Sequence, residues 1–191
     1  MKVFRLRHSP EKFMTFGLDI MMLAEQLGDI DEMLPTLMNY PSANERLLPI
    51  WKDVSADFRP LSKTSTEIPD ISVWDNTTLL LNEKAFQVLK DYLEFEGEFL
   101  PVIAEGEQMY LFNCLTFAKE DFELTEKKFL GGFENGLKSL AFEEDDIKSK
   151  LLFKSNMDYC AHLFATSTFK ELCEKFNLEG LMFEDSLVNS F

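Results

Sequence analysis

The sequence predicts an α+β fold, namely a single domain with a largely antiparallel sheet and a few packed helices. Three observations lead to this prediction. Residues 79–115 are typical of a helix followed by a hairpin, residues 168–183 have the same order of helix and strand, and short apolar segments occur between them. Because 46% of the 191 residues are hydrophobic, the chain can bury a core large enough for one such domain.

The first of these units begins with a helix. Apolar side chains at Phe86, Leu89 and Leu93 recur at the spacing of one helix face, and Asn82 stands where its side chain can cap the first free amides. We expect this helix to end at Gly97. Two strands then follow, at residues 99–104 and 108–115, with a turn at residues 105–107.

The second unit lies near the end of the chain. Thr168 and Glu171 fit a capping box, which predicts a helix over residues 169–176. Gly180 is placed to end that helix, and residues 181–183 predict a strand.

The N-terminal part predicts less regular structure. Residues 2–7 alternate like a charged edge strand, and residues 13–27 have helical spacing that ends at Gly28. Five prolines between residues 29 and 76 disfavour long helices and central strands, so this segment is expected to wrap the core with short elements.

Two tryptophans within the wrapping segment, Trp51 and Trp74, are predicted to anchor it to the core. The chain is therefore expected to consist of residues 1–67, with a strand, a helix and the wrapping segment, and an α+β core over residues 68–191, within one domain. Residues 118–136 are polar, contain Gly131 and Gly132, and predict a mobile connection. Short strands are predicted at residues 137–142, 150–155 and 159–165, around an acidic turn.

Charge and cysteine content limit the function classes. The net charge is −15, from 34 acidic and 19 basic residues, and this disfavours nucleic acid as a ligand because phosphates are bound by Lys and Arg. Cys114, Cys160 and Cys173 lie in apolar contexts and predict buried, reduced thiols. No export signal and no run of ~18 apolar residues is evident, so we expect a cytoplasmic protein without a membrane span.

Two acidic clusters are the candidate binding residues. Glu94, Glu96 and Glu98 would project from one side of an extended segment, and four consecutive acids follow later in the chain. Such clusters suit a solvated face or a docking surface for a basic partner better than a metal site, because no calcium-binding loop pattern is present. The predicted partner-binding residues are Glu94, Glu96, Glu98, Glu143, Glu144, Asp145 and Asp146.

Catalytic and cofactor motifs do not stand out. His162 follows Cys160 by two positions, which would put both on one face of a strand, but a packed cysteine and a hydrogen-bonded histidine are the favoured interpretation. We therefore predict no catalytic residue, no metal and no cofactor. Two alternatives stay open, namely a carboxylate-based enzyme with two perturbed acids in one pocket and a homo-oligomeric scaffold that associates through exposed phenylalanines.

Several short segments together resemble a known family. The residues that carry the resemblance are LLLNEKA at 79–85, GEFLPV at 97–102, Leu152–Phe153, Phe164–Thr166, Phe169, Lys170 and LEGLMF at 178–183. Their order and spacing over residues 68–185 are similar to those of the bacterial DUF1629 family, which is also described as immunity protein family 11 of polymorphic toxin systems.

The resemblance implies a cytoplasmic antidote, encoded beside a secreted toxin, that binds this toxin and blocks it without chemistry of its own. The charge of −15 is compatible with fast, electrostatically steered capture of a basic toxin such as a nuclease. A homodimer is also compatible with the sequence.

Overall fold

Thirteen strands and five helices are present in residues 1–188, the part of the chain that the computed structural model describes. The strands are β1 (Val3–His8), β2 (Thr15–Phe16), β3 (Val54–Ala56), β4 (Phe58–Arg59), β5 (Ile71–Asp75), β6 (Thr78–Asn82), β7 (Gly97–Ala104), β8 (Glu107–Cys114), β9 (Glu126–Leu130), β10 (Phe133–Ser139), β11 (Leu152–Phe153), β12 (Phe164–Thr166) and β13 (Leu181–Glu184). The helices are α1 (Ile20–Leu27), α2 (Ile30–Ala43), α3 (Glu83–Leu93), α4 (Glu144–Ile147) and α5 (Ser167–Lys175). Most strand pairs are antiparallel, which confirms the predicted single-domain α+β fold.

A five-stranded sheet with the order β3–β7–β8–β6–β5 forms the centre of the molecule. All its pairs are antiparallel except β3 with β7. The predicted hairpin is confirmed as β7 and β8, which pair without interruption from Gly97 opposite Cys114 to Ala104 opposite Glu107. Glu105 and Gly106 form its turn with φ angles of 52° and 81°, as a two-residue type I′ turn requires.

Helices cover both faces of this sheet. On one face, Leu100 and Leu111 cluster with Leu23 of α1 and Leu37 of α2. On the other face, the buried residues of β5, β6 and β8 cluster with residues of α3 and α5, including Leu79, Phe112, Leu89 and Phe169. Because the segment 1–67 supplies the cover of one face and the edge strand β3, the two predicted parts of the chain pack into one core.

A second sheet has the order β11–β12–β1–β13. The prediction of a strand at residues 2–7 is confirmed, but its assignment to a sheet edge is wrong, because β1 lies between β12 and β13. Its central position explains why Arg5 is buried. The Arg5 guanidinium donates hydrogen bonds to Glu184 of β13, at 3.0 Å from Nε.

The helix predicted for residues 13–27 is only half correct. Residues 15 and 16 form β2, and α1 begins at Ile20 because the Asp19 carboxylate accepts a hydrogen bond from the Met22 amide at 2.8 Å. Gly28 ends the helix as predicted, with its amide donating to the Ala24 carbonyl at 3.0 Å.

The segment 29–76 contains a 14-residue helix, α2, so the prediction that prolines prevent a long helix here is wrong. Pro35 and Pro41 each remove a backbone donor inside α2. Two features offset this loss. The Asp29 carboxylate caps the first turn, and Leu37 and Tyr40 are fully buried.

Both tryptophans anchor this segment, as predicted. The indole Nε1 of Trp51 donates to the Pro101 carbonyl at 2.8 Å, and that of Trp74 donates to the Leu18 carbonyl at 2.7 Å. Both rings pack against the core beneath α1 and α2.

Helix α3 is capped by Asn82 as predicted, with its side chain accepting from the Ala85 amide at 2.9 Å. The helix ends at Leu93 and not at Gly97, which instead begins β7. A Cβ at Gly97 would lie 2.2 Å from the Asn113 carbonyl oxygen, so the close packing of β8 requires glycine there.

The last third of the chain differs from prediction at several points. Thr166 is the residue before the first turn of α5, so Thr168 lies inside the helix and the predicted capping box is wrong. The strands predicted at residues 150–155 and 159–165 are shorter in the structure, where they correspond to β11 (Leu152–Phe153) and β12 (Phe164–Thr166). Tyr159 and Cys160 between them adopt left-handed backbone conformations with φ of 57° and 56°. All three cysteines are free and buried, as predicted.

Candidate functional site

The predicted row of exposed carboxylates at Glu94, Glu96 and Glu98 is wrong for two of its three members. Glu96 is buried, and its two carboxylate oxygens accept from the amides of Leu151 and Leu152 at 2.6 and 2.7 Å. Burial raises the pKa of Glu96, although both amides and the charge of Lys150 oppose this shift. Glu96 therefore joins the end of the central hairpin to β11.

Glu98 is buried on the other side of the same segment. Its Oε1 accepts from the Leu47 amide at 2.6 Å and from the Asn113 side-chain amide at 2.9 Å. The backbone amides of a short 3-10 turn thus satisfy a carboxylate that the sequence pattern placed at the surface. Only Glu94, at the C-terminal end of α3, is exposed.

The second acidic cluster forms one turn of helix, α4, and the residue before it. Glu143, Glu144 and Asp145 are exposed, whereas Asp146 is half-buried. Asp145 pairs with Lys148 at 2.9 Å, and Glu144 pairs with the N-terminal ammonium. Partner binding by these residues stays a prediction.

Asp146 is held inside the fold by two donors. Its Oδ2 accepts from Lys150 Nζ at 2.5 Å and from the Lys119 amide at 2.9 Å. Burial raises the pKa of Asp146, but these hydrogen bonds outweigh burial and the net pKa lies below its usual value. This carboxylate therefore links α4 to the backbone at Lys119, in the segment that precedes β9.

The most unusual surface feature is a hairpin of β9 and β10, here called the hairpin arm (residues 126–139). Within residues 1–188 its two strands pair only with each other, so each has a free edge. The strands join through Gly131 and Gly132, whose φ angles of 60° and 88° match a two-residue type I′ turn. Beyond their mutual pairing, the two strands make only sparse contacts with other strands and helices.

Large apolar side chains on the arm are exposed to solvent. The exposed fractions are 61% for Phe129, 69% for Leu130 and 81% for Phe133. Leu130 and Phe133 are directly opposite in the pairing and share one face, while Phe129 points to the other face. Phe122 and Leu124, which precede the arm in the chain, are exposed as well. Clusters of this kind in a folded protein mark interaction surfaces.

The arm meets the body at a loop with an Asp–His pair. Asp158 Oδ2 accepts a hydrogen bond from His162 Nδ1 at 2.9 Å, and Tyr159 OH donates to Glu134 of β10 at 3.4 Å. Between this loop, the arm and the C-terminal segment lies a cavity of about 340 Å³. The prediction of a packed cysteine and a hydrogen-bonded histidine is confirmed for Cys160 and His162.

Within the described part of the chain, two carboxyls have raised pKa values, but they lie in different places. Burial raises the pKa of Asp75, against the opposing hydrogen bonds of the Asn76 amide and Tyr40 OH. Asp75 lines a shallow groove with His8 and His162, whereas Glu96 bonds to the backbone of residues 151 and 152. These two acids do not form the paired site that a carboxylate-based enzyme would need.

The sequence contained one signal for the arm that the prediction of a mobile connection missed. Gly131 and Gly132 are two glycines between short segments that contain Phe129, Leu130 and Phe133, which is a hairpin pattern. The flanking strands lack a regular apolar alternation, because most of their side chains are exposed and only Leu137 packs against a buried cluster.

No protein-family model matches the chain, and a search of curated proteins finds no significant match. Within residues 1–188, no helix combines the length and the apolar character that a membrane crossing needs. In the same part of the chain, no group of three or more His, Cys, Asp or Glu side chains is placed to hold a metal ion.

Proposed function

We propose that this protein is a bacterial immunity protein that binds and neutralises a cognate toxin without chemistry of its own, and that the hairpin arm is its docking element. The observation that carries the proposal is the exposure of Phe129, Leu130 and Phe133 on a hairpin with two free edges. Their burial against a partner would supply the apolar centre that protein interfaces require.

The free edges of the arm add a second means of binding. Exposed strand edges present unpaired backbone donors and acceptors, and another chain can pair with them as an additional strand. A two-stranded hairpin is at best marginally stable alone, so a partner that covers it stabilises the bound conformation.

Charge and resemblance support the same proposal. The chain has a net charge of −15, which would steer a basic toxin toward it, and Glu143, Glu144 and Asp145 are exposed to contribute to that field. Residues 68–185 resemble an immunity protein family. The proposed place of action is the cytoplasm, where an antidote of this kind would meet its toxin.

The test is capture of the protein encoded by the neighbouring gene. We would combine Phe129→Ser, Leu130→Ser and Phe133→Ser in one variant and measure toxin affinity and protection of cells. Phe95→Ser is the matched control, because Phe95 is 89% exposed and lies outside the arm. The arm variant should lose most of the affinity and the protection, and the control should keep both. If the arm variant captures the toxin as well as the parent chain does, the proposal that the arm is the docking element is contradicted.

The same exposed residues favour one second candidate, a homo-oligomer joined through the arms of two copies. Light scattering over a wide concentration range distinguishes the two. A dimer that the arm variant abolishes supports self-association, and a monomer at all concentrations contradicts it.

A further inference from the structure

We propose that Asn135 of the hairpin arm is a site of spontaneous conversion to aspartate and isoaspartate, through a cyclic imide formed with Gly136, and that the isoaspartate form docks more weakly. The sequence contains an Asn-Gly pair only at this position. Asparagine is among the thermolabile residues of proteins. The conversion itself does not depend on the toxin-binding proposal, whereas its effect on docking rests on that proposal.

The Asn-Gly pair lies at an irregularity of β10. Asn135 and Gly136 have no partner in the register of β10 with β9, although the residues on both sides of them are paired. Together they face only Lys128 of β9, with which Asn135 also lines the cavity at the base of the arm. Two residues opposite one form a β-bulge, where the ladder of hydrogen bonds is locally disrupted. The regular pairing of the arm therefore does not hold this dipeptide.

The surroundings of the pair leave room for a ring to form. Asn135 and Gly136 are both exposed, and the side-chain amide of Asn135 has no hydrogen-bond partner within residues 1–188. Gly136 has a φ angle of 82°, and a Cβ placed on it would meet no heavy atom within 4 Å. Glycine also has no side chain that could shield its own backbone nitrogen. That nitrogen is therefore open to the neighbouring side chain.

The reaction needs only water besides the chain itself. The Gly136 backbone nitrogen attacks Cγ of Asn135, the Cγ–Nδ2 bond breaks, and ammonia leaves with the proton of the Gly136 amide. One water molecule then opens the five-membered ring. Cleavage between Cγ and the Gly136 nitrogen gives aspartate, and cleavage between that nitrogen and the backbone carbonyl carbon of residue 135 gives isoaspartate. The first step is intramolecular, so the attacking and attacked groups are already held together.

The two products differ in their backbone. Both carry a new carboxylate, and because residues 126–139 contain three lysines and two glutamates, this charge cancels the net positive charge of the arm. Isoaspartate also adds one methylene to the main chain of β10, two residues after Phe133. A two-stranded hairpin is only marginally stable, so this insertion should disorder the arm. Aspartate keeps the ordinary backbone and should not have this effect.

The first experiment measures conversion in the purified full-length chain. After incubation in mildly alkaline buffer, tryptic digestion and mass spectrometry compare Asn135, in peptide 129–138, with Asn156, in peptide 155–170. Asn156 is the internal control because the next amide, that of Met157, donates to Glu120 Oε1 at 3.1 Å.

Asn135 should convert at least about tenfold faster than Asn156, and no more than about fivefold slower than in a free synthetic peptide of residues 129–138. Asn135→Gln should abolish the conversion, because its longer side chain cannot close the five-membered ring. Stronger protection of Asn135 in the folded chain, or a smaller difference from Asn156, would overturn the proposal.

The second experiment measures the effect on docking. Anion exchange separates the converted fraction from fresh chain, and both are compared with Asn135→Asp, which has the new charge on an ordinary backbone. The converted fraction should bind the toxin about tenfold or more weakly, and Asn135→Asp should bind within about twofold of fresh chain. Equal binding by converted and fresh chain, when the arm variant does lose affinity, would overturn the effect on docking. Full affinity of the arm variant would instead contradict the proposed docking element, and the conversion would still be decided by the mass measurement.

Discussion

The hairpins β7–β8 and β9–β10 follow each other along the chain, but the first is part of the core and the second is exposed to solvent. The first lies in the centre of a five-stranded sheet, and it contributes buried apolar side chains such as Leu100, Leu111 and Phe112 to the core. The second has large apolar side chains too, but Leu130 and Phe133 face solvent. A β-hairpin therefore forms part of the core in one case and an exposed arm in the other. Apolar residues that the fold does not cover are the residues available to a partner.

The largest expected effect comes from truncating one leucine in each hairpin. Leu111→Ala should lower the free energy of unfolding by roughly 2–5 kcal/mol, because it leaves a cavity in the core. Leu130→Ala should change it by no more than about 0.5 kcal/mol, because the side chain is exposed. Urea denaturation of both variants measures the difference. Equal losses would show that the arm packs as part of the body.

A similar contrast exists between two acids that the sequence placed in one cluster. Glu98→Gln should lower the free energy of unfolding by roughly 1–3 kcal/mol. The Gln oxygen can accept from the Leu47 amide and from Asn113 only if the Gln NH2 group becomes a buried donor. Glu94→Gln, at an exposed position, should be close to neutral. Thermal unfolding of the two variants is the measurement, and a neutral Glu98→Gln would contradict the anchoring role.

The pH dependence of stability distinguishes the ion pairs of the body from those of the arm. Burial raises the pKa of Glu184, but hydrogen bonds and charges from Arg5 and Arg7 outweigh it, so the folded-state pKa lies below the usual 4.5. The stabilisation is present above about pH 4.5 and is lost as the pH falls through the folded-state pKa. Glu184→Gln should lower the free energy of unfolding at neutral pH by on the order of 1 kcal/mol. The variant should also lose less stability than the parent chain as the pH falls below about 4.5, which flattens the acid limb of the curve of stability against pH.

The arm provides the control for that experiment. Glu126 pairs with Lys138 across the arm, and both side chains are well exposed. Glu126→Gln should leave the acid limb of the stability curve unchanged, because exposed pairs contribute little. An equal flattening by both variants would contradict the assignment to Glu184.

The smallest expected effect concerns the exposed acids beside α4. Reversal of Glu143, Glu144 and Asp145 to lysine should slow association with a basic toxin by a few-fold at low salt and have little effect at about 0.5 M salt. Stopped-flow association rates at two ionic strengths measure this. A change in the dissociation rate instead would place these residues inside the interface.

The comparison also shows which features the sequence could predict. The α3–β7–β8 unit was predicted because its apolar spacing matches the faces that the fold buries, and Asn82 caps α3 as expected. The predictions for Glu96 and Glu98 were wrong because the amides that bind them come from residues 47, 151 and 152, which are distant in the sequence. Such long-range partners have no local signal.

Two further errors have the same physical origin. Helix α2 forms despite Pro35 and Pro41 because its own residues Leu37 and Tyr40 are buried in the core, and tertiary packing outweighs local propensity. The arm is not predicted because most side chains of its strands are exposed, so no apolar periodicity marks them. The pairing of Asp158 with His162 and the cavity beside Lys128 also depend on the folded loop, so sequence spacing alone does not reveal them.

Hydrogen exchange of the chain alone and in complex with the toxin is the most direct test of the central claim. If the hairpin arm is the docking element, amides of residues 126–139 should exchange fast in the free protein and become strongly protected in the complex. The β7–β8 hairpin should be protected in both states. Protection elsewhere on the body, with the arm exchanging at its free rate in the complex, would contradict the account.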